Sequence, residues 1–378
     1  MSVTIKTVSS AKDFKTFARF ANRLYKGNKY YVPSMPMDDL STFSKEKNAA
    51  FEFSDAEFYL AYKDGEVVGR VAAIINHKAN EAWKVKQVRF GWIDFIDDME
   101  VSAALLDAVI EFGRKAGMTQ IVGPLGFTDF DPEGMLVDGY DRLGTMALIY
   151  NHPYYPEHMK KHGYYKETGW LEYRITIPET VSERHKQIAE SVMERYGLTI
   201  KKKTRRQIKK ERYGQKLFKL INETYCVLYG YSLLSEKQID QYVGLYLSLI
   251  DTEMLTFVEN AEGELIAAGI SIPSLSEALQ KCNGEIFPFG WWHVLRALKF
   301  QKTEGVDLIL MGVLPEYRPK GANALIIADL IPWCQKYGYK WGESQVEMET
   351  NEGVQSQWGA LDPIHHKRRR CFKKVIKD

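Results

Sequence analysis

Residues 315–324, PEYRPKGANA, form a basic, glycine-containing turn that runs straight into an apolar helix. The run before it, DLILMGVL at 307–314, is apolar without alternation, as a strand buried on both faces of a parallel sheet should be. Strand, turn and helix start in this order make a phosphate receiver, because the first helical turn has free N–H groups and a partial positive charge. Arg318 and Lys320 add full charges, and Gly321 lets a ligand approach the backbone closely. Further along, ESQVEMET at 343–350 places Glu343, Gln345, Glu347 and Glu349 on one face of a strand by its period of two. Such a row reads either as a face lining a wet cleft or as an edge strand facing solvent.

The elements that must position these residues occur twice. FYLAYKDGEVVGRVAAII (58–75) and LTFVENAEGELIAAGISI (255–272) each read as a β-hairpin around a glycine-containing turn. A strand, a helix and a strand follow in each half: RFGWIDFI, MEVSAALLDAVIEFGRKAG and TQIVGPL, then DLILMGVL, ANALIIADLIPWCQKYG and YKWGESQVEMET. Both helices end at a glycine, Gly117 and Gly338, where a left-handed cap is needed. Duplication is the economical reading. It predicts an α/β (α+β) fold of two tandem domains, 1–180 and 181–378, each a mixed central sheet with helices on both faces. The boundary falls near 178–198, where ITIPETVSERHK leaves a strand at Pro178 and enters a helix reaching about residue 196. Chance recurrence within an α/β chain is the other reading.

A length of 378 residues allows about two domains, and 45% hydrophobic with 26% charged residues lets each bury a core. A net charge of +2 excludes a polyanion binder by overall charge. The exception is local: KKKTRRQIKKER at 201–212 reads as a solvated face or as an RNA-phosphate surface. Cysteines 226, 282, 334 and 371 form no C-x-x-C pair and fit a reducing cytoplasm. The amino terminus shows no signal-peptide core, and no apolar run reaches roughly 18 residues, so a cytoplasmic chain without a membrane span is expected. His152, His158 and His162 lack a complete ligand set, so no metal is expected. His365 and His366 before KRRR read as part of a solvated basic tail, and Trp291 and Trp292 in FPFGWW as core or as lining of an acceptor cleft.

The run from Val313 to Asn323, VLPEYRPKGAN, resembles the acyl-CoA loop of the GNAT superfamily, in which a strand ending in V-x-P enters R/Q-x-x-G-x-G/A at a helix start. Arg318 and Gly321 match the first two fixed positions; Asn323 departs from the third, and Pro319 removes one backbone N–H. Asn351 matches an Asn that often closes the acidic strand. GVQSQWGALD and RRRCFKKVI stand as the following helix and the last strand. The resemblance implies that Val313, Leu314, Arg318, Lys320, Gly321, Ala322 and Asn323, with Asn351, hold acetyl-CoA or another acyl-CoA as co-substrate. It implies N-acyl transfer to an amine of a small or medium acceptor, a small molecule or a peptide. The base is expected to be Glu349, with Glu347 the other candidate. Many members place a proton-donating Tyr near the position of Trp358, which cannot serve that way. In the first half the equivalent turn, FIDDME, sets Asp97 and Asp98 where pyrophosphate would go, so that half is expected to be structural or acceptor-binding, with 123–140 an ordered recognition loop. Two alternatives stay open: a tRNA-dependent aminoacyl transferase of the peptidoglycan cross-bridge type, and a non-catalytic GNAT-like binding protein.

Overall fold

The computed structural model describes residues 2–180, 183–244, 250–300 and 303–377. Its strands are β1 (Thr4–Thr7), β2 (Ser54–Lys63), β3 (Glu66–Asn76), β4 (Gln87–Phe95), β5 (Gln120–Gly123), β6 (Met135–Asp138) and β7 (Tyr165–Thr176) in the first half. The second half supplies β8 (Thr199–Lys201), β9 (Leu255–Glu259), β10 (Leu265–Pro273), β11 (Gly305–Val313), β12 (Trp341–Ser344), β13 (Glu347–Met348) and β14 (Ile364–Val375). Among the described residues they form one sheet, ordered β1-β2-β3-β4-β5-β14-β7-β12-β11-β10-β9-β8, with β6 beside β14 and β13 beside β7.

The repeat is plain in this order. β1 to β4 and β8 to β11 are antiparallel meanders, each followed by a parallel partner, β5 or β12. Helix Met99–Lys115 covers one face of the first meander through Val101 and Leu105, while Phe17 and Ala18 of helix Ala11–Leu24 cover the other. Helices Ala322–Tyr337 and Tyr213–Tyr225 do the same in the second half, against alternate residues of β10.

The last strand of each half lies in the other half's part of the sheet. β14 inserts between β7 on one edge and β5 and β6, end to end, on the other, and β7 pairs with β12 and β13. At the seam, Lys367 stands opposite Glu172 in register. Glu172 is fully buried; Arg369 Nε donates to its Oε1 at 2.5 Å, and Lys367 Nζ lies 2.9 Å from its Oε2. Lys367 also lies 2.8 Å from Glu343, which His366 approaches at 2.6 Å. The HHKRRR segment is therefore no solvated tail: it is a central strand whose inward cations are matched by buried carboxylates, the condition under which charges tolerate burial. Trp291 and Trp292 of FPFGWW are likewise not core, since both lie at the surface.

Two gaps open in the sheet. β4 pairs with β5 only from Gln87–Gln120 to Arg89–Val122, and β11 with β12 only from Gly305–Trp341 to Leu308–Ser344. Beyond these points the strands part. Each long strand is irregular there: the β4 register shifts opposite Arg70–Ala72, and the β11 register opposite Ile270–Ser271. The splay also breaks the expected acidic strand. Once β11 has departed, the chain keeps only β7 as partner, so it leaves the ladder at Gln345 and Val346 and resumes as β13. The four residues Glu343, Gln345, Glu347 and Glu349 thus do not share one face of one strand.

Candidate active site

In the second half, β11 runs on through Val313 without a partner on its β12 side and delivers the chain to the helix start at Gly321. Gly321 has φ +79°, a left-handed conformation that suits glycine. The helix has no side-chain cap and no acid in its first turn, so its amino end is open to an anion. Arg318 Nε donates to Val313 O at 3.0 Å, and its Nη2 to Thr224 O at 3.4 Å. Those partners are neutral carbonyls, and no described carboxylate pairs with Arg318, so its positive charge stands beside the helix start. Lys320 stands over the rings of Tyr317 and Tyr196, at 4.2 and 5.6 Å. Ala322 is fully buried under helix Glu183–Tyr196. Leu314 N donates to Ile266 O at 3.0 Å, which fixes the strand end. Asn351 accepts from Val354 N at 3.4 Å and so caps the short helix Glu352–Gln355. Asn323 follows Ala322 in the first helical turn. This chain thus offers a phosphate group an uncapped helix end, a glycine and unbalanced cations.

The two candidate carboxylates differ sharply. Glu349 makes an ion pair with Lys166 of β7 and lies over Gly169. Glu347 is mostly buried: Trp358 Nε1 donates to its Oε1 at 2.7 Å, while Oε2 meets no hydrogen-bond partner of good geometry among the described residues. Burial pushes Glu347 up to about 7, against the opposing pull of donors on Trp358 and Ser344. Trp358, at the place where the resemblance would have put an acid, instead orients this carboxylate. A residue that the sequence did not single out completes the gap. Tyr225 ends helix Tyr213–Tyr225, and its hydroxyl donates to Met311 O on the unpaired part of β11 at 3.1 Å. Burial pushes that phenol up to about 12, so it stays protonated. The carboxylates of Glu347 and Asp129 both add to the rise of the Tyr225 phenol, after burial.

The equivalent gap in the first half is closed by the chain itself. Leu125 N donates to Phe90 O at 3.0 Å, which occupies the strand backbone. Asp98 caps helix Met99–Lys115, with Glu100 in the first turn, and Lys63 pairs with both. The loop after β5 then crosses to the second half. Phe130 packs on Phe218 and Tyr242, and Arg89 Nη2 donates to Gly230 O at 2.9 Å. Three acids ride on this loop. Asp131 accepts from Thr128 N at 3.0 Å, but Asp129 and Glu133 make no hydrogen bond with any described residue. Burial pushes Asp129 up to about 7 and Asp131 to about 6, and burial with Asp129 nearby raises Glu133 as well.

Among the described residues no group of three or more His, Cys, Asp or Glu forms a cluster able to hold a metal. His158 bonds Ser102 and Asp97, and His162 bonds Ser102. In the basic run, Lys203 pairs with Glu211 and Lys202 with Asp329, while Arg205 donates to Ile250 O. Among the described residues no helix is long and apolar enough to cross a membrane.

No family model matches the chain. It is 26% identical over 380 residues to Protein YghO of Escherichia coli K12, covering 98% of this chain and 95% of that one. It is 22% identical over 386 residues to a bacterial ceramide synthase of Caulobacter vibrioides, covering 99% and 98%. Among solved structures, a tandem GNAT protein from the clavulanic acid biosynthesis pathway superposes with a TM-score of 0.57 at 11% identity, covering 100% of this chain and 99% of that one.

Proposed function

We propose that this chain, which has the tandem GNAT fold, is an acyl-CoA-dependent N-acyltransferase whose reaction centre lies in the gap beside β11. One observation carries the reading. Of two topologically equivalent gaps, one is closed by its own chain and capped by acids, while the other pairs an uncapped helix end and unbalanced cations with a buried, half-partnered carboxylate.

The reaction follows from those groups. Ala322 and Asn323 N–H groups and Arg318 hold the diphosphate, and the free edge of β11 aligns the pantetheine arm. The acceptor amine attacks the thioester carbonyl carbon; the C–N bond forms and the C–S bond breaks. Glu347 Oε2 takes the proton of the amine, and the Tyr225 hydroxyl returns a proton to the leaving sulfur. Glu349, tied to Lys166, keeps a structural place. Asp129 and Glu133 of the first half face the acceptor, where an ammonium would replace the hydrogen bonds they lack. In this reading the first half is an acceptor-recognition module.

The relative named as a bacterial ceramide synthase favours one acceptor class, because a ceramide is the amide of a fatty acid and a long-chain amino alcohol. The test is mass spectrometry of full-length protein incubated with acetyl-CoA or palmitoyl-CoA and with sphinganine, glucosamine or lysine peptides, beside calorimetric titration with each CoA. Amide formation with one amine supports the reading. CoA binding without any amide would leave the binding-protein alternative. Absence of CoA binding would sink both, and salt-sensitive tRNA binding would then favour the aminoacyl-transferase alternative.

A further inference from the structure

The segment from Ile286 to Phe300, IFPFGWWHVLRALKF, contains five aromatic side chains, two cations and no acid. Its helix, Trp291–Phe300, is only half apolar in the burial sense. Ala297 is buried, and Val294 and Leu298 pack with it against Leu275 and Leu279. The opposite side is exposed, and so is the turn before it. Phe287 is 65% exposed, Phe289 80%, Trp291 45%, Trp292 46% and Phe300 54%. Arg296 and Lys299 lie exposed on that same side and make no ion pair with a described residue.

The patch is held in shape. Trp291 N donates to Ile286 O at 2.7 Å, and Trp291 Nε1 to Pro288 O at 3.1 Å. A Cβ at Gly290 would meet Glu285 O at 1.9 Å, so the tight turn that presents Phe287 and Phe289 requires glycine. The neighbouring acid, Glu285, is already paired with Arg19. What is left over is an apolar, tryptophan-rich face whose free charge is positive.

We propose that this face docks the protein onto an anionic lipid surface, with the helix lying flat in the headgroup region. Tryptophan and phenylalanine beside Arg and Lys are the side chains that lodge at that depth, the rings against acyl chains and the cations against lipid phosphates. A ten-residue helix is far too short to span the bilayer, which needs about 20 residues. A second copy of this chain fits the face worse, because a two-fold contact would set Arg296 and Lys299 against themselves. The inference stands apart from the acyltransfer reading, since it needs neither CoA nor an acceptor.

The test is flotation of the full-length protein with vesicles of phosphatidylcholine alone or mixed with phosphatidylglycerol. Binding to the mixed vesicles should exceed binding to neutral ones by about 25-fold, with about fivefold from each cation. Phe289→Ser with Trp292→Ser, and separately Arg296→Glu with Lys299→Glu, should each lower binding by about tenfold or more. Both pairs are exposed, so circular dichroism and the thermal midpoint should stay unchanged. Wild-type protein that ignores the mixed vesicles overturns the proposal, as do variants that bind like wild type. So does a solution dimer that the serine pair converts to monomer while no vesicle binding is seen.

Discussion

Replacing Glu347 by Gln should slow turnover sharply and, above neutral pH, stabilise the protein. The carboxylate is mostly buried, with Oε1 accepting from Trp358 and Oε2 unpartnered, and burial lifts it from the ordinary 4.5 to about 7. An acid raised in this way binds its proton more tightly when folded. Its ionisation therefore costs nothing below pH 4.5 and its full penalty above about pH 7. That rise corresponds to about 3 kcal/mol, an upper bound for a group that keeps some solvent. Gln can accept from Trp358 with its oxygen while its NH2 takes the unpartnered side, and it never ionises. Denaturant melts of E347Q should accordingly show a gain over wild type at pH 8 that fades by pH 5. The same ionisation governs the rate: kcat should rise with pH through about 7, and E347Q should lose about 10²–10⁴-fold together with that limb. A variant with wild-type kcat and an unchanged pH limb would refute the assignment; loss of activity without any stability gain at pH 8 would refute the buried, ionising carboxylate.

Three further outcomes are expected. Arg318→Glu should weaken CoA binding about tenfold or more in calorimetry, because it sets a carboxylate beside the diphosphate and discards the bonds to Val313 O and Thr224 O; an unchanged affinity would remove CoA from this loop. Tyr225→Phe should lower kcat about 10²-fold with thioalkyl donors but much less with an aryl thioester, whose leaving group needs no proton; equal loss on both would deny the phenol its role. Glu172→Ala should cost about 3–5 kcal/mol, since it strands Arg369 and Lys367 in the core. In the wild type, those cations hold the Glu172 carboxyl at about 2 despite its burial, so its stabilisation is present above pH 4.5 and is lost as pH falls from there through about 2. An acid-unfolding profile identical in the variant would contradict this.

Much of the architecture was legible because local rules decided it. The two hairpins, the helix ends at Gly117 and Gly338 and the basic turn into Ala322 all follow from turn chemistry, caps and apolar runs, and they stand where those rules put them. Partner choice was not legible. Nothing local in HHKRRRCFKKV says that its inward cations meet Glu172 and Glu343, far away in sequence, so a buried strand read as a charged tail. The acidic row misled for a related reason. A period of two holds only while a strand keeps its ladder, and this one loses β11 after Ser344, so Glu347 and Glu349 end in different surroundings. Tyr225 was one tyrosine among 22, and only the splay of β11 gives its hydroxyl a purpose.

The exchange of β7 and β14 makes a last prediction about the two halves. Residues 1–180 alone would lack the strand that joins β7 to β5 and β6, and residues 181–378 alone would lack the strand that β12 and β13 pair with. The loss is more than ladder bonds. Cys371 and Phe372, buried against Val122, Trp170 and the first-half core, would be exposed, and Glu172 would be separated from Arg369 and Lys367. Separating a buried ion pair leaves a desolvated charge on each side and costs about 3–5 kcal/mol, a large share of the stability of an ordinary domain. Each half should therefore fail to give a cooperative melt when produced alone, and the two should recover it when produced together, co-purifying through the β7–β14 seam. The reasoning fails if either fragment melts cooperatively as a monomer. It fails equally if co-produced fragments never associate, for then the seam does not supply the stability ascribed to it. Success would also explain why a first half with its own gap closed is retained: it holds one strand of the sheet that carries the proposed reaction centre.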